Sequence, residues 1–533
     1  MRKRWRSLIV FLLAAIIITI VIGSLLLSKN ENKQIMQAQV QRKAPVTLKI
    51  EVFDRDNAPN SSVTADNNYM TNLIQEEWGT PNNVTINYVA VPRAEEEDKL
   101  IEMMASGTAP NIVFVYSKDI YLKFASEGHL TDITDYLNNA KHLKKLTEKN
   151  KDDLLINGKY FATGAYRPLV DRHISYIRTD WLKKVGMQKP TTIDQWHAVM
   201  KAFKDNNLGG PGNNTIPFGL RMTNYVDNHF GAQHLLWSFV KASDEEIQTL
   251  PYLALPGFKD GVRYLNKLYH EGLIDQKLTS YTNEENFYED IKNGNVGFFT
   301  IDTQALYSPN YGNALATLQD KVPGADLEPV ECFMNADGEY LKSIYTHQGW
   351  FVMIPKTSSP EQVQAAIDFL DWQSSNEGLK LLKWGEPGRH YTLKDGIPTV
   401  NIEQKAANDI DRYNSPDYCL MWNGFYNING NLIYKQIEAA DPKYGERNVT
   451  EMKIAVQDGF RDYNSNPAFD IIIEAAGKYR ESLDQLYLYG LAKLIICQSE
   501  DFDYTYDELL NDYLRKGGQE IIDQKKAAYK KSR

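Results

Sequence analysis

From residue 46 the chain alternates: Val46, Leu48, Ile50 and Val52 are apolar, while Thr47, Lys49 and Glu51 between them are polar. A period of two predicts a strand with one face in a core. Met70, Leu73 and Ile74 then recur at helical spacing, and Val84, Ile86 and Tyr88 alternate again. Ala94 to Ser106 reads as a charged helix closed by Gly107. The run Asn111-Ile112-Val113-Phe114-Val115-Tyr116 fits a strand covered on both faces. Strands and helices in this alternation predict a parallel sheet with right-handed crossovers. Ligands of such sheets bind beyond the carboxyl ends of the strands, and Tyr116 stands at such an end.

A second α/β stretch follows. Ile174 to Ile177 predicts a strand, with a helix through Trp181 after it. Thr192 and Gln195 have the spacing of a capping box, and Trp196, Val199, Met200 and Phe203 form the apolar stripe of the helix it opens. Val262, Leu265 and Tyr269 mark a helix ending near Gly272; Val296 to Ile301 and Gly349 to Ile354 read as strands. Ser359-Pro360 with Gln362 starts a helix whose stripe is Val363, Ala366, Ile367 and Leu370. Beyond that the pattern is mainly helical, notably Phe469 to Cys497 and Tyr506 to Tyr529.

The N-terminus has a different period. Arg2, Lys3, Arg4 and Arg6 precede an uncharged run whose apolar part, Leu8 to Leu27, is long enough to cross a ~30 Å hydrocarbon layer as a helix. No small-residue cleavage site and no lipobox cysteine close it. Residues 1–28 therefore read as an uncleaved signal-anchor, with a cleaved signal peptide as the alternative. The positive-inside bias puts the body outside the cell. Residues 29–45 are a polar tether.

A chain of 533 residues, 43% hydrophobic and 24% charged, is globular and long enough for more than one domain. A net charge of −10 speaks against nucleic acid as the ligand. Cys332, Cys419 and Cys497 are too widely spaced for a metal motif and are assigned to packing. No cofactor is expected.

The ordered punctuation resembles a known family. Met104-Ala105-Ser106-Gly107-Thr108-Ala109-Pro110-Asn111-Ile112-Val113 followed by Glu127-Gly128-His129-Leu130-Thr131-Asp132-Ile133 resembles the "SGxxPDV … GxLxDL" signature of extracellular solute-binding proteins of ABC importers. Tyr176-Ile177-Arg178-Thr179-Asp180-Trp181-Leu182 is similar to the large oligosaccharide-binding members of Gram-positive bacteria and to alginate-oligosaccharide-binding proteins. The resemblance covers roughly residues 46–400. It implies an α/β, periplasmic-binding-protein-like fold: two α/β lobes with a ligand cleft and hinge, plus a helical C-terminal extension. Lobe one would hold 46–168 and 350–392, and lobe two 169–349 and 393–533. The chain would cross near Gly164–Arg172 and near Gln348–Phe351. Many large relatives carry a calcium loop that here has become Asn206 to Thr215 without a carboxylate, so no structural calcium is expected there.

The implied function is capture of an oligosaccharide for ABC transporter permease subunits by a monomer held at the membrane. Sugars need flat rings and paired polar groups. The candidate ligand-binding residues are Tyr116, Tyr166, Arg167, Trp237, Asp302, Trp350, Glu386, Arg389, Tyr391 and Trp422. Trp181, Trp196 and Asp180 are assigned to packing and structure. The alternatives are an extracellular carbohydrate-active enzyme and a membrane-tethered sugar sensor subunit. No G-x-S-x-G, H-E-x-x-H, P-loop or C-x-x-C motif supports an enzyme.

Overall fold

The computed structural model describes residues 44–531 apart from 57, 59, 167–172, 210–213, 222–225, 279–283, 303–304, 308–313, 332, 343–347, 395, 401–410, 412–413, 422–433, 436–437, 439–444, 451–459 and 463–472. The expected anchor lies outside the described residues, as do Arg167 and Trp422. Among the described residues no helix is long and apolar enough to cross a membrane.

Two sheets use nine strands: β1 (Val46–Asp54), β2 (Val84–Pro92), β3 (Val113–Val115), β4 (Ala162–Thr163), β5 (His173–Arg178), β6 (Ile216–Gly219), β7 (Val296–Asp302), β8 (Leu327–Val330) and β9 (Phe351–Met353). In the first lobe β1 and β2 run parallel, with Val46 opposite Val84 and Asp54 opposite Pro92. A parallel bridge from Ile50 to Ile112 joins them to β3, which pairs with antiparallel β9, and β9 with β4. The sheet order is therefore β2-β1-β3-β9-β4, and the carboxyl ends of β1, β2 and β3 share one edge with the start of β9. In the second lobe the order is β8-β5-β7-β6. There β5 is antiparallel to β7, which places His173 opposite Asp302.

Ten helices matter here: α1 (Tyr69–Ile74), α2 (Glu96–Ser106), α3 (Lys118–Ser126), α4 (Ile193–Asp205), α5 (Gln233–Trp237), α6 (Phe258–His270), α7 (Pro360–Ser374), α8 (Glu474–Ile496), α9 (Phe502–Tyr513) and α10 (Gln519–Lys531). Their ends follow the expected chemistry. Ser359 and Gln362 make the reciprocal capping box of α7. Thr192 accepts the Gln195 N–H at the start of α4, but the Gln195 carboxamide oxygen accepts from the backbone N–H of Thr191 instead of Thr192. The stretch Tyr506 to Tyr529 is not one helix: it breaks between α9 and α10, where Gly517 has a φ of 121° that only glycine adopts without strain.

Each sheet carries its own core. Leu48, Ile50, Val52, Val352 and the α7 stripe Val363, Ala366, Ile367 and Leu370 pack in the first. Trp181, Trp196, Val199, Phe203, Val262 and Leu265 pack in the second, together with Leu491, Leu494 and Tyr506 of α8 and α9. Trp181, Trp196 and the bidentate Arg178–Asp180 pair thus take the structural roles expected of them. One stretch departs from the expected division. Tyr418, Cys419, Leu420 and Met421 fall within the span assigned to the second lobe, yet they are buried in the first core. Polar contacts hold them there: the Tyr418 hydroxyl donates to Ala65 O at 2.7 Å, and Gln373 Nε2 donates to Tyr418 O at 2.9 Å.

The two crossings between the lobes run side by side. Tyr166 bridges Gln348, and Gly349 N donates to Ala165 O at 2.8 Å. Gly164 is required by this closeness: a Cβ there would lie 1.9 Å from the Trp350 carbonyl oxygen.

Candidate functional site

In the first lobe the polar residues that follow the strands gather at one edge. Arg55 comes just after β1, Arg93 just after β2, and Tyr116 just after β3. Tyr116 is 36% exposed. Its ring lies edge-on to Trp350 at 5.4 Å, and the Arg93 guanidinium sits 5.0 Å from its centroid. Arg93 also covers the buried Phe53 ring at 4.8 Å, and Arg55 covers it at 5.7 Å. Buried carboxylates aim both arginines. Arg55 Nε and Nη2 donate to Asp417 at 2.7 and 2.8 Å, and Arg93 Nη1 pairs with Glu96 at 2.5 Å.

Below this edge lies Glu51, 1% exposed. One carboxylate oxygen accepts the Phe114 N–H at 2.9 Å; the other, Oε1, has no hydrogen-bond partner among the described residues. Burial, with the neighbouring Glu96 adding to it, pushes its carboxyl up to about 8, although the Phe114 hydrogen bond opposes the shift. Burial likewise pushes Glu96 up to about 7 against the pull of Arg93. At neutral pH Glu51 is therefore mainly a neutral acid.

The second lobe ends its sheet in another polar group. Asp302 closes β7 and lies 3.3 Å from His173 Nε2 and 3.5 Å from Arg221 Nη1. Behind it, buried Ser175 contacts His234 Nδ1 and Thr300 Oγ1, each at 2.8 Å. Because β5 begins at His173, directly after the first crossing, this group sits at the hinge side of its lobe.

The remaining candidates divide by burial. Tyr166 lies at the crossing with Lys149 Nζ 4.9 Å over its ring. Glu386 and Arg389 belong to a surface cluster: Arg389 Nη2 pairs with Asp411 at 2.6 Å and covers the Tyr69 ring at 4.7 Å, and buried His390 reaches the same Asp411 at 3.1 Å. Three expectations are corrected. Trp237 is 1% exposed and packs among His229, Tyr252 and the second core, so no sugar can stack on it. Trp350 is 2% exposed; its indole N–H donates to Leu420 O, and its ring supports Tyr116 from behind. Tyr391 is buried against Trp384, with ring centroids 6.1 Å apart.

Sequence reading did not single out Arg55, Arg93, Asp417, His173 or Arg221. For the two arginines the signal was present, since each is the first long polar residue after a strand. Asp417 is distant in sequence and carried no such mark. A cavity of about 250 Å³ lies elsewhere, lined by Met104, Gly107, Gly128, His129 and Lys356 at the carboxyl ends of α2 and α3. That is the amino-terminal end of the strands, remote from the cleft edge.

Residues 60–380 match the family model described as bacterial extracellular solute-binding protein. The lipoprotein LipO of Bacillus subtilis is 24% identical over 473 residues, covering 83% of this chain and 86% of the relative. The polygalacturonan/rhamnogalacturonan-binding protein YtcQ of the same organism is 23% identical over 469 residues, covering 85% and 86%. Among solved structures, the alginate-binding protein AlgQ2 without calcium ion matches with a TM-score of 0.63 at 20% identity, over 92% of this chain and 99% of that one. At that identity the likeness concerns the fold, and it agrees with two α/β lobes.

Proposed function

The chain belongs to the bacterial extracellular solute-binding proteins, and we propose that it captures an oligosaccharide for an ABC importer by closing its two lobes on it. The observation that carries this reading is the place of Tyr116: a partly exposed ring at the strand ends, beside the paired crossings, backed by buried Trp350. A pyranose stacks its CH face on Tyr116 while guanidinium and carboxylate groups at the strand ends meet its hydroxyls. Asp302 of the second lobe supplies acceptors from the other side. Sugar contacts to both lobes favour the closed form, and that form docks on the permease. The hydrophobic segment Leu8 to Leu27 holds the monomer at the outer membrane face. The sugar is bound and passed on unaltered.

Tyr116→Ala tests this reading. It removes the platform and leaves the Trp350 core in place, so calorimetry with bound oligosaccharide should show affinity falling at least tenfold while the melting temperature without ligand changes little. Equal affinity in the variant would contradict the assignment.

A further inference from the structure

Beyond Tyr116 the polar edge of the first lobe continues. Phe53 stacks on Tyr116 with centroids 6.3 Å apart, Arg55 lies over Phe53, and Asp417 holds Arg55 through two hydrogen bonds. Tyr418 follows Asp417, and its hydroxyl accepts from Asn68 Nδ2 at 2.7 Å. Asn68 caps α1, so Tyr69 is the first residue of that helix. Arg389 lies over the Tyr69 ring at 4.7 Å. Every step is a direct contact or a chain neighbour, and the line runs from Tyr116 to Arg389 without a break. Tyr116 follows β3, and α1 opens the return from the carboxyl end of β1, so both ends of the line belong to the edge where the strands finish.

A locked turn presents the far end. Gly385 has a φ of 76°, and a Cβ there would meet His390 Nδ1 at 2.5 Å. The Glu386 N–H donates to His390 Nδ1 at 2.9 Å, and the His390 N–H donates to Glu386 O at 2.9 Å. The ring hydrogen of His390 is therefore on Nε2, which faces Asp411 at 3.1 Å. This buried ring closes the turn, and the side chains of Arg389 and Glu386 take no part in the closure. They stay 46% and 42% exposed. Arg389 Nη2 donates to Asp411 at 2.6 Å, and Nη1 faces Glu386 at 3.5 Å. Nε and one hydrogen on each terminal nitrogen have no partner among the described residues. A guanidinium beside a carboxylate offers donors and acceptors side by side, which is what two neighbouring sugar hydroxyls require. The positions are fixed before a ligand arrives, so little ordering opposes binding. Such recognition depends on hydroxyls and needs no net charge.

Resting on the capture reading above, we propose that Arg389 and Glu386 form a distal sugar subsite, and that the captured oligosaccharide is a chain of at least three units lying along the first lobe. One unit stacks on Tyr116, one lies over the Arg55–Asp417 pair, and one turns its vicinal hydroxyls to Arg389 and Glu386.

The test is titration calorimetry of the full chain with the dimers, trimers and tetramers of manno-, malto-, xylo- and galacturono-oligosaccharides. In a series that binds, the trimer should bind at least tenfold tighter than the dimer. Arg389→Gln and Glu386→Gln should each remove most of that gain, so that the trimer binds much as the dimer does; Arg389→Lys should keep part of it. Tyr116→Ala should weaken every length. If Arg389→Gln fails to fold once Asp411 loses its partner, the length series on the unaltered protein and Glu386→Gln decide the matter. Equal affinity for dimer and trimer, a gain that survives the variants, or variants that weaken dimer and trimer alike would overturn the inference and leave the capture reading intact. Failure of every series to bind would overturn both.

Discussion

Arg480 of α8 places its Nη2 2.7 Å from Asp119 Oδ2, at the first turn of α3. The contact joins the two lobes, because α8 packs in the second core while α3 follows β3 of the first. Glu97, Asp484 and Lys525 surround it. Helix α8 thus touches the first lobe beside the carboxyl end of β3.

That contact should bias closure. Both side chains are partly exposed, so the pair contributes on the order of 0.2–1 kcal/mol after solvent screening. Arg480→Gln or Asp119→Asn should shift the lobes toward the open form and weaken sugar binding by up to about fivefold. Reversing both charges together should restore most of the loss. Small-angle scattering and calorimetry read the two effects, and unchanged scattering in both single variants would show that the pair does not couple to closure.

Glu51 gives a pH signature. Its folded value, about 8, lies above the 4.5 of an exposed glutamate in the unfolded chain. Between these two pH values the folded protein keeps a proton that the unfolded chain releases. The stability linked to Glu51 is therefore complete below about pH 4.5 and is lost as pH rises through about 8, at up to ~1.4 kcal/mol per pH unit. Glu51→Gln should flatten the fall in denaturation free energy from pH 5 to 8 and leave the variant the more stable of the two at pH 8. An identical pH slope in both proteins would refute the assignment.

The tryptophans separate packing from binding. Trp237→Ala and Trp350→Ala should each cost about 3–5 kcal/mol of stability, the cost of emptying a large buried site, measured by urea denaturation. Of the two, Trp237→Ala should leave the sugar affinity of the folded fraction unchanged, since its ring lies in the second core.

Gly164→Ala should destabilise the hinge by about 1–3 kcal/mol through overpacking, because the added methyl meets the Trp350 carbonyl oxygen. A variant that melts at the temperature of the parent would mean that the crossings yield readily.

Local chemistry was legible in the sequence. The alternation of Val46 to Val52, the capping box at Ser359 and Gln362, and the position of Tyr116 all follow from residues near one another in the chain. The fate of Trp350 was not legible, because its indole is satisfied by Leu420, 70 residues further on. The same holds for Arg55, whose partner Asp417 lies 362 positions away. Trp237 sits on a short helix that is buried throughout, its polar Gln233 and His234 included, and its pattern does not distinguish a core from a cleft. Side chains whose burial depends on a distant segment, here Asp411 to Met421, carry no periodic signal.

The proposed function requires two lobes that close around an oligosaccharide and release it unchanged. Small-angle scattering of the protein titrated with a bound oligosaccharide, followed by mass spectrometry of the released sugar, tests this most directly. A saturable decrease in radius of gyration and a sugar of unaltered mass are expected. Saturated binding without compaction, or recovery of shortened sugar, would contradict it.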